Sequence, residues 1–260
     1  MTPLFTPYDA ILLALVFSRL IAFLFAFPFL NTTMVPTIVK IFVILSLAFF
    51  FIKNLNLQLQ TDIDHFSLFS LLLLIGKELL LGFAFGLLIN FFISAFSYAA
   101  EIISYFMGIT VVNIFDPTYG QVSVLSKFFI FLFYALFFVS GAYEYFLSLI
   151  AKSFVDIPIA LPVIDQGIWR YIIEQSAIMF TYAFKLAFPF ALILYIINLA
   201  LALINRLIPQ INVFIVGLPL QIFVGLASLA FGISVMVYAG ISLLEEISYN
   251  YSSLIKHLGH

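Results

Sequence analysis

Six charged residues interrupt long apolar stretches of this chain: Arg19, Lys77, Glu78, Glu101, Lys185 and Arg206. Each costs about 3 kcal/mol at bilayer depth unless it is paired, hydrated or enclosed by protein. Two kinds of chemistry suit such a set. Lining a path, the residues would relay ions or protons, as in a secondary transporter. Paired with neighbouring helices or subunits, they would fix packing and assembly. The chain halves show no inverted repeat, and Lys77 and Glu78 make the one acid and base pair adjacent in sequence within the set, which favours the packing reading.

The remaining reactive residues offer less. Asp62 with Asp64, and Glu245 with Glu246, fall in or near polar segments and read as solvated charge rather than as acid/base pairs. The chain holds no His-Glu-x-x-His, no Gly-x-Ser-x-Gly and no phosphate-binding Gly-x-x-x-x-Gly-Lys-Ser/Thr motif. It has no Cys and three His, at 65, 257 and 260, so thiolate chemistry is excluded and metal ligands are scarce. A non-enzymatic protein without a cofactor is expected.

The elements that carry these charges must be membrane helices. Lys, Arg, Asp and Glu make up 8% of the 260 residues and apolar types 65%, against roughly 25% charged in soluble chains. That leaves too little polar surface for a water-soluble domain. The net charge of −2, with no basic run, also excludes nucleic acid as a partner. The segments 20–39, 79–100, 128–143, 186–205 and 207–244 contain no charge. Since about 20 helical residues cross a bilayer, the pattern predicts an all-α, polytopic protein with six helices near 9–30, 36–52, 67–104, 124–150, 172–205 and 211–246. The third, fifth and sixth exceed a simple span and should tilt, kink or extend beyond the lipid. No positive n-region or small-residue cleavage pattern opens the sequence, so a removable signal peptide is not expected. Lys152–Arg170, with Pro158, Pro162 and the sole Trp169, reads as a surface loop.

Small residues mark close helix approach. Gly82 and Gly86 form a Gly-x-x-x-Gly step, and Gly217, Gly225, Gly232 and Gly240 recur at about two turns each along the last helix, giving smooth packing faces.

Two stretches stand apart. Residues 105–120, YFMGITVVNIFDPTYG, place β-branched Ile109, Thr110, Val111 and Val112 before Asp116 and Pro117, which suits an apolar loop or a frayed helix end. Irregular backbone at membrane depth needs protein or a water-filled lumen around it. Farther on, Asn198 and Asn205 are seven residues apart, and Pro209 stops their helix beside Asn205, Arg206, Gln210 and Asn212. That arrangement predicts a helical hairpin with a polar tip.

The segments FMGITVVNIFDP and NLALALINRLIPQINVFIVGLPLQIFVGL resemble the signature segments of the FliR/SctT family of type III export-gate proteins. The similarity extends to RLIAFLFAFPFLNTTMVPTIVK and GKELLLGFAFGLLINFFISAFSYAAEII, in the expected order over nearly the whole chain, although 34 Phe make this copy unusually aromatic. The resemblance implies a P-type-like helical part over 1–170, a Q-type-like hairpin over 171–246 and a short polar tail over 247–260. It implies a subunit of the flagellar export gate in the bacterial inner membrane and basal body, sitting largely above the bilayer plane when assembled. Its partners would be P-type (FliP) and Q-type (FliQ) subunits, an FlhB-type switch protein, exported unfolded flagellar proteins and membrane lipid. In the family, the segment matching Phe106, Met107, Gly108, Ile109, Thr110, Val111, Val112, Asn113, Ile114, Phe115, Asp116 and Pro117 forms a plug-like loop. Here Gly108 would supply the bend and Met107 an adaptable seal. The tip at Asn205, Arg206, Pro209, Gln210 and Asn212 would serve subunit contact. The competing reading is a transporter whose Arg, Lys and Glu line a substrate path.

Overall fold

A computed structural model of the chain describes residues 6–26, 35–59, 67–110, 124–159, 167–210 and 212–258. Among the described residues, seven helices account for nearly all regular structure: α1 Pro7–Ala26, α2 Thr37–Asn54, α3 Leu68–Met107, α4 Val124–Val139, α5 Ala142–Asp156, α6 Gly167–Leu207 and α7 Val213–Leu258. The all-α architecture matches the expectation from charge spacing. Five helices are long and apolar enough to cross a membrane, or six if α4 and α5 together make one span.

Helix ends follow local chemistry. The Thr6 amide donates to the Asp9 carboxylate at 2.9 Å, and the Asp9 amide donates to Thr6 Oγ1 at 3.3 Å. With Pro7 at the first helical position, that reciprocal pair is a capping box. The Ser70 amide donates to Ser67 Oγ at 3.2 Å and starts α3 in the same manner. At 40, 41 and 46 residues, α3, α6 and α7 would each run about 60 Å or more, roughly twice the hydrocarbon thickness. Pro189 lies inside α6 and Pro219 inside α7, where each removes a donor from the helical ladder.

Three expectations are corrected. The helix expected over 124–150 is broken between α4 and α5, because Gly141 takes φ +74° and opens α5 as its N-cap. A charge-free interval conceals such a break, since lipid-facing composition is blind to backbone handedness. The segment Lys152–Arg170 expected as a loop is helical at both ends: α5 continues to Asp156 and α6 begins at Gly167. Likewise α7 runs on to Leu258 through most of the segment read as a tail.

The chain forms two compact units from interleaved stretches, Met1–Phe91 with Gly141–Ser176 and Glu246–His260, and Phe92–Ser140 with Ala177–Glu245. In the first, α1 buries Leu12, Leu15, Val16, Leu20 and Phe23, a stripe of helical period. It packs on α2, which turns Ile44, Ala48 and Phe51 inward. In the second, the core gathers Phe96, Ile103 and Met107 of α3, Phe129 and Phe133 of α4, Phe190 and Leu194 of α6 and Met236 of α7. The Phe96 and Phe133 rings meet edge to face with centroids 5.2 Å apart, a geometry that adds to simple area burial.

Candidate functional site

The charged residues separate into different environments. Arg19 of α1 is 0% exposed and Glu78 of α3 is 2% exposed, with Arg19 Nε donating to Glu78 Oε2 at 2.6 Å. Arg19 Nη1 also donates to the carbonyls of Ser153 at 2.9 Å and Ile157 at 3.1 Å, and the guanidinium lies 4.5 Å from the centre of the Phe154 ring. One side chain thus neutralises a buried acid and caps the C-terminal end of α5, where unsatisfied carbonyls attract a cation. Arg19 Nη2 has no hydrogen-bond partner among the described residues. The five donors of a planar guanidinium suit this task, which a point-charge ammonium does not. Gly82 lets α3 come this close, since a Cβ there would stand 2.1 Å from the Arg19 carbonyl oxygen.

The other four members of the set are not buried. Lys77 and Glu101 are half-buried, and Lys185 and Arg206 are exposed on this chain. An apolar neighbourhood in sequence therefore does not imply burial within the chain, because the outer faces of α6 and α7 are themselves apolar. Glu101 accepts a hydrogen bond from the Ser126 hydroxyl, and Lys185 Nζ lies 4.8 Å from the Tyr182 ring centre.

The end of α3 has a defined geometry. The Gly108 amide donates to the Tyr105 carbonyl at 3.1 Å and the Ile109 amide to the Ser104 carbonyl at 3.2 Å, with Gly108 at φ +74°. These two bonds around a left-handed glycine are a Schellman motif. Asn198 Nδ2 of α6 donates to the Phe106 carbonyl at 3.3 Å, and Gln221 Nε2 of α7 donates to Asn198 Oδ1. Met107 is 0% exposed and fills the place a side chain at Gly225 would take, its Cγ lying 2.5 Å from that Cβ position. In this chain its thioether packs α3 on α7. Val111, Val112, Asn113, Ile114, Phe115, Asp116 and Pro117 lie outside the described residues.

Beside this helix end, an open cleft of about 610 Å³ is lined by Asn198, Asn205, Pro209, Gln210, Asn212, Gly217, Leu218 and Gln221. The structure thus brings the hairpin-tip residues Asn205, Pro209, Gln210 and Asn212 together around one cavity. Its polar lining consists of neutral amides, which suit hydrogen bonding rather than acid/base catalysis. Arg206 does not line it. Gly86 is buried within α3. Sequence reading did not single out Gln221, although it is the sole amide side chain between Asn212 and Glu245, a polar group that an apolar helix must satisfy. Ser126 was missed as well, since a hydroxyl in a membrane helix carries little signal by itself.

The model of the family described as bacterial export proteins, family 1, matches residues 10–247. The chain is 33% identical over 220 residues to the flagellar biosynthetic protein FliR of Aquifex aeolicus (strain VF5), covering 83% of each chain. It is 33% identical over 226 residues to the FliR of Bacillus subtilis (strain 168), covering 85% of this chain and 86% of the relative. It is also 27% identical over 182 residues, 69% of each chain, to the Yop proteins translocation protein T of Yersinia pestis. With a match from α1 into α7 that takes in the buried ion pair, the α3 end and the amide-lined hairpin, the chain belongs to the family of bacterial export proteins, family 1.

Proposed function

We propose that this chain is the FliR-type core subunit of the flagellar type III protein export gate and forms, with P-type (FliP) and Q-type (FliQ) subunits, the channel for unfolded flagellar proteins. It is an inner-membrane component of the flagellar export apparatus. The observation that carries this reading is the family match over 10–247, joined to FliR relatives that cover more than four-fifths of the chain. The fold supports it through unmet apolar surface. Phe180, Phe184, Phe188 and Ile196 of α6 and Phe223, Phe231, Val235 and Tyr238 of α7 are exposed, an amount of apolar face that calls for lipid or further subunits.

In this reading the chain is a channel subunit rather than an enzyme. Residues 1–170 act as the P-type-like part and 171–246 as the Q-type-like hairpin, whose tip at Asn205, Arg206 and Gln210 contacts Q-type neighbours or the FlhB-type switch protein. Residues 106–117 act as the gate loop, closing the pore by apolar contact and dewetting until a substrate displaces them.

Native mass spectrometry of the chain, co-expressed with its P-type and Q-type partners and extracted in mild detergent, tests the assembly. The expected result is a hetero-oligomer with one copy of this chain. Recovery only as a stable monomer or homodimer would overturn the reading and favour a transporter. Deleting 107–113 should raise the resting ion leak of the assembled gate.

A further inference from the structure

We infer that Asn198 and Gln221 lock the C-terminal end of α3 onto α6 and α7, and are therefore positioning residues for the start of the gate loop at Gly108–Thr110. The hold itself stands on geometry, and its role in export rests on the gate-loop reading above.

A helix leaves its last four carbonyls without donors from the same helix. In α3 these belong to Ser104, Tyr105, Phe106 and Met107. The Schellman turn supplies donors to the first two, from Ile109 and Gly108. The third, on Phe106, accepts from Asn198 Nδ2, which lies 92 residues away in sequence. Asn198 is thus a helix cap delivered from another helix. An amide can rotate, and Gln221 removes that freedom by donating to Asn198 Oδ1, which leaves Nδ2 directed at Phe106. The three groups form a part-buried relay at the edge of the amide-lined cleft, where an amide that loses its partner is costly. The relay should therefore hold or fail as a unit.

Two further contacts make the position specific. At Gly108 a side chain is excluded by Leu218, whose Cδ2 lies 2.6 Å from the glycine's Cβ position. One residue earlier, Met107 is seated at Gly225. Together they seat Met107 and Gly108 against α7.

Hydrogen–deuterium exchange on the assembled export complex tests the hold, following the amides of 104–110. Asn198→Asp keeps the acceptor for Gln221 but sets an oxygen against the Phe106 carbonyl, while Gln221→Ala only frees the Asn198 amide to rotate. One hydrogen bond is worth roughly a ten-fold change in opening, so Gly108 and Ile109 should exchange about ten-fold faster in Asn198→Asp and less so in Gln221→Ala. The double variant should be no worse than Asn198→Asp, and Asn198→Gln, which retains donor and acceptor, should recover much of the protection. Resting ion leak should rise in the same order. Unchanged exchange in both single variants would overturn the lock. Faster exchange with wild-type leak, where deletion of 107–113 does raise leak, would overturn the positioning role. A leak that the deletion itself fails to move would overturn the gate-loop reading instead, and the exchange rates would still decide whether the pair holds α3.

Discussion

Arg19 Nε lies 2.6 Å from Glu78 Oε2, although the two are 59 positions apart in sequence, and both side chains are shut away from solvent. Removing one partner leaves the other charge buried and alone, which costs about 3–5 kcal/mol. Arg19→Ala and Glu78→Ala should each lower the yield of assembled complex sharply, as read by size-exclusion chromatography of the detergent extract. Arg19→Lys should rescue little, because an ammonium cannot serve the carboxylate and the two carbonyls of Ser153 and Ile157 in one planar geometry. Wild-type yield in Arg19→Lys would contradict the bridging role of the guanidinium.

Gly82 and Gly76 provide a matched pair on one helix. A Cβ at 82 would stand 2.1 Å from the Arg19 backbone oxygen, whereas a Cβ at 76 would meet nothing within 4 Å. Backbone cannot yield as a side-chain tip can, so Gly82→Ala should destabilise by about 1–3 kcal/mol through overpacking. Gly76→Ala should stabilise by up to about 1 kcal/mol, since alanine favours the helix. Thermal melting of the purified complex distinguishes them, and equal melting shifts would show that the α1 approach to α3 is looser than described.

Gly225 should behave differently from Gly82, because its neighbour is the flexible side chain of Met107 rather than backbone. Gly225→Ala should cost about 1 kcal/mol, less than Gly82→Ala, as the thioether shifts. Combining it with Met107→Ala should give a total smaller than the sum of the two single effects, a coupling measurable in a double-mutant cycle. Strict additivity would place the two residues out of contact.

Gly141 has open space around it but a φ of +74°. Replacement by Ala should cost about 1–2 kcal/mol in backbone strain, and Asn, which tolerates this conformation, should cost less. The prediction is checked by comparing melting temperatures of Gly141→Ala and Gly141→Asn complexes. A larger loss in Asn would mean that side-chain volume, not handedness, governs the break between α4 and α5.

Much of the fold is legible from spacing. Continuous apolar runs longer than a bilayer span favour helices in lipid, since a helix satisfies every backbone group within its own segment. Helices α1, α2, α3, α6 and α7 accordingly lie close to where charge spacing places them. The break at Gly141 is not legible, because apolar composition continues across it while one residue changes handedness. The hairpin tip is legible from Asn205, Pro209, Gln210 and Asn212, which have no place in an apolar span. Gln221 escapes notice because its partner lies 23 residues away on the neighbouring helix.

The sequence by itself determined that this is a helical membrane protein and to which family it belongs, because hydropathy and local motif order are properties of the chain alone. Tertiary structure decided which charges are buried and what they bind. Arg19 and Glu78 meet only because α1 and α3 close on each other at Gly82, and Asn198 finds the Phe106 carbonyl only where α3 stops at Gly108. Lys185 and Arg206, equally isolated in apolar sequence, stay on the outside. A pairing between residues tens of positions apart depends on the approach of two backbones, and side-chain spacing along one strand of chain does not encode that distance.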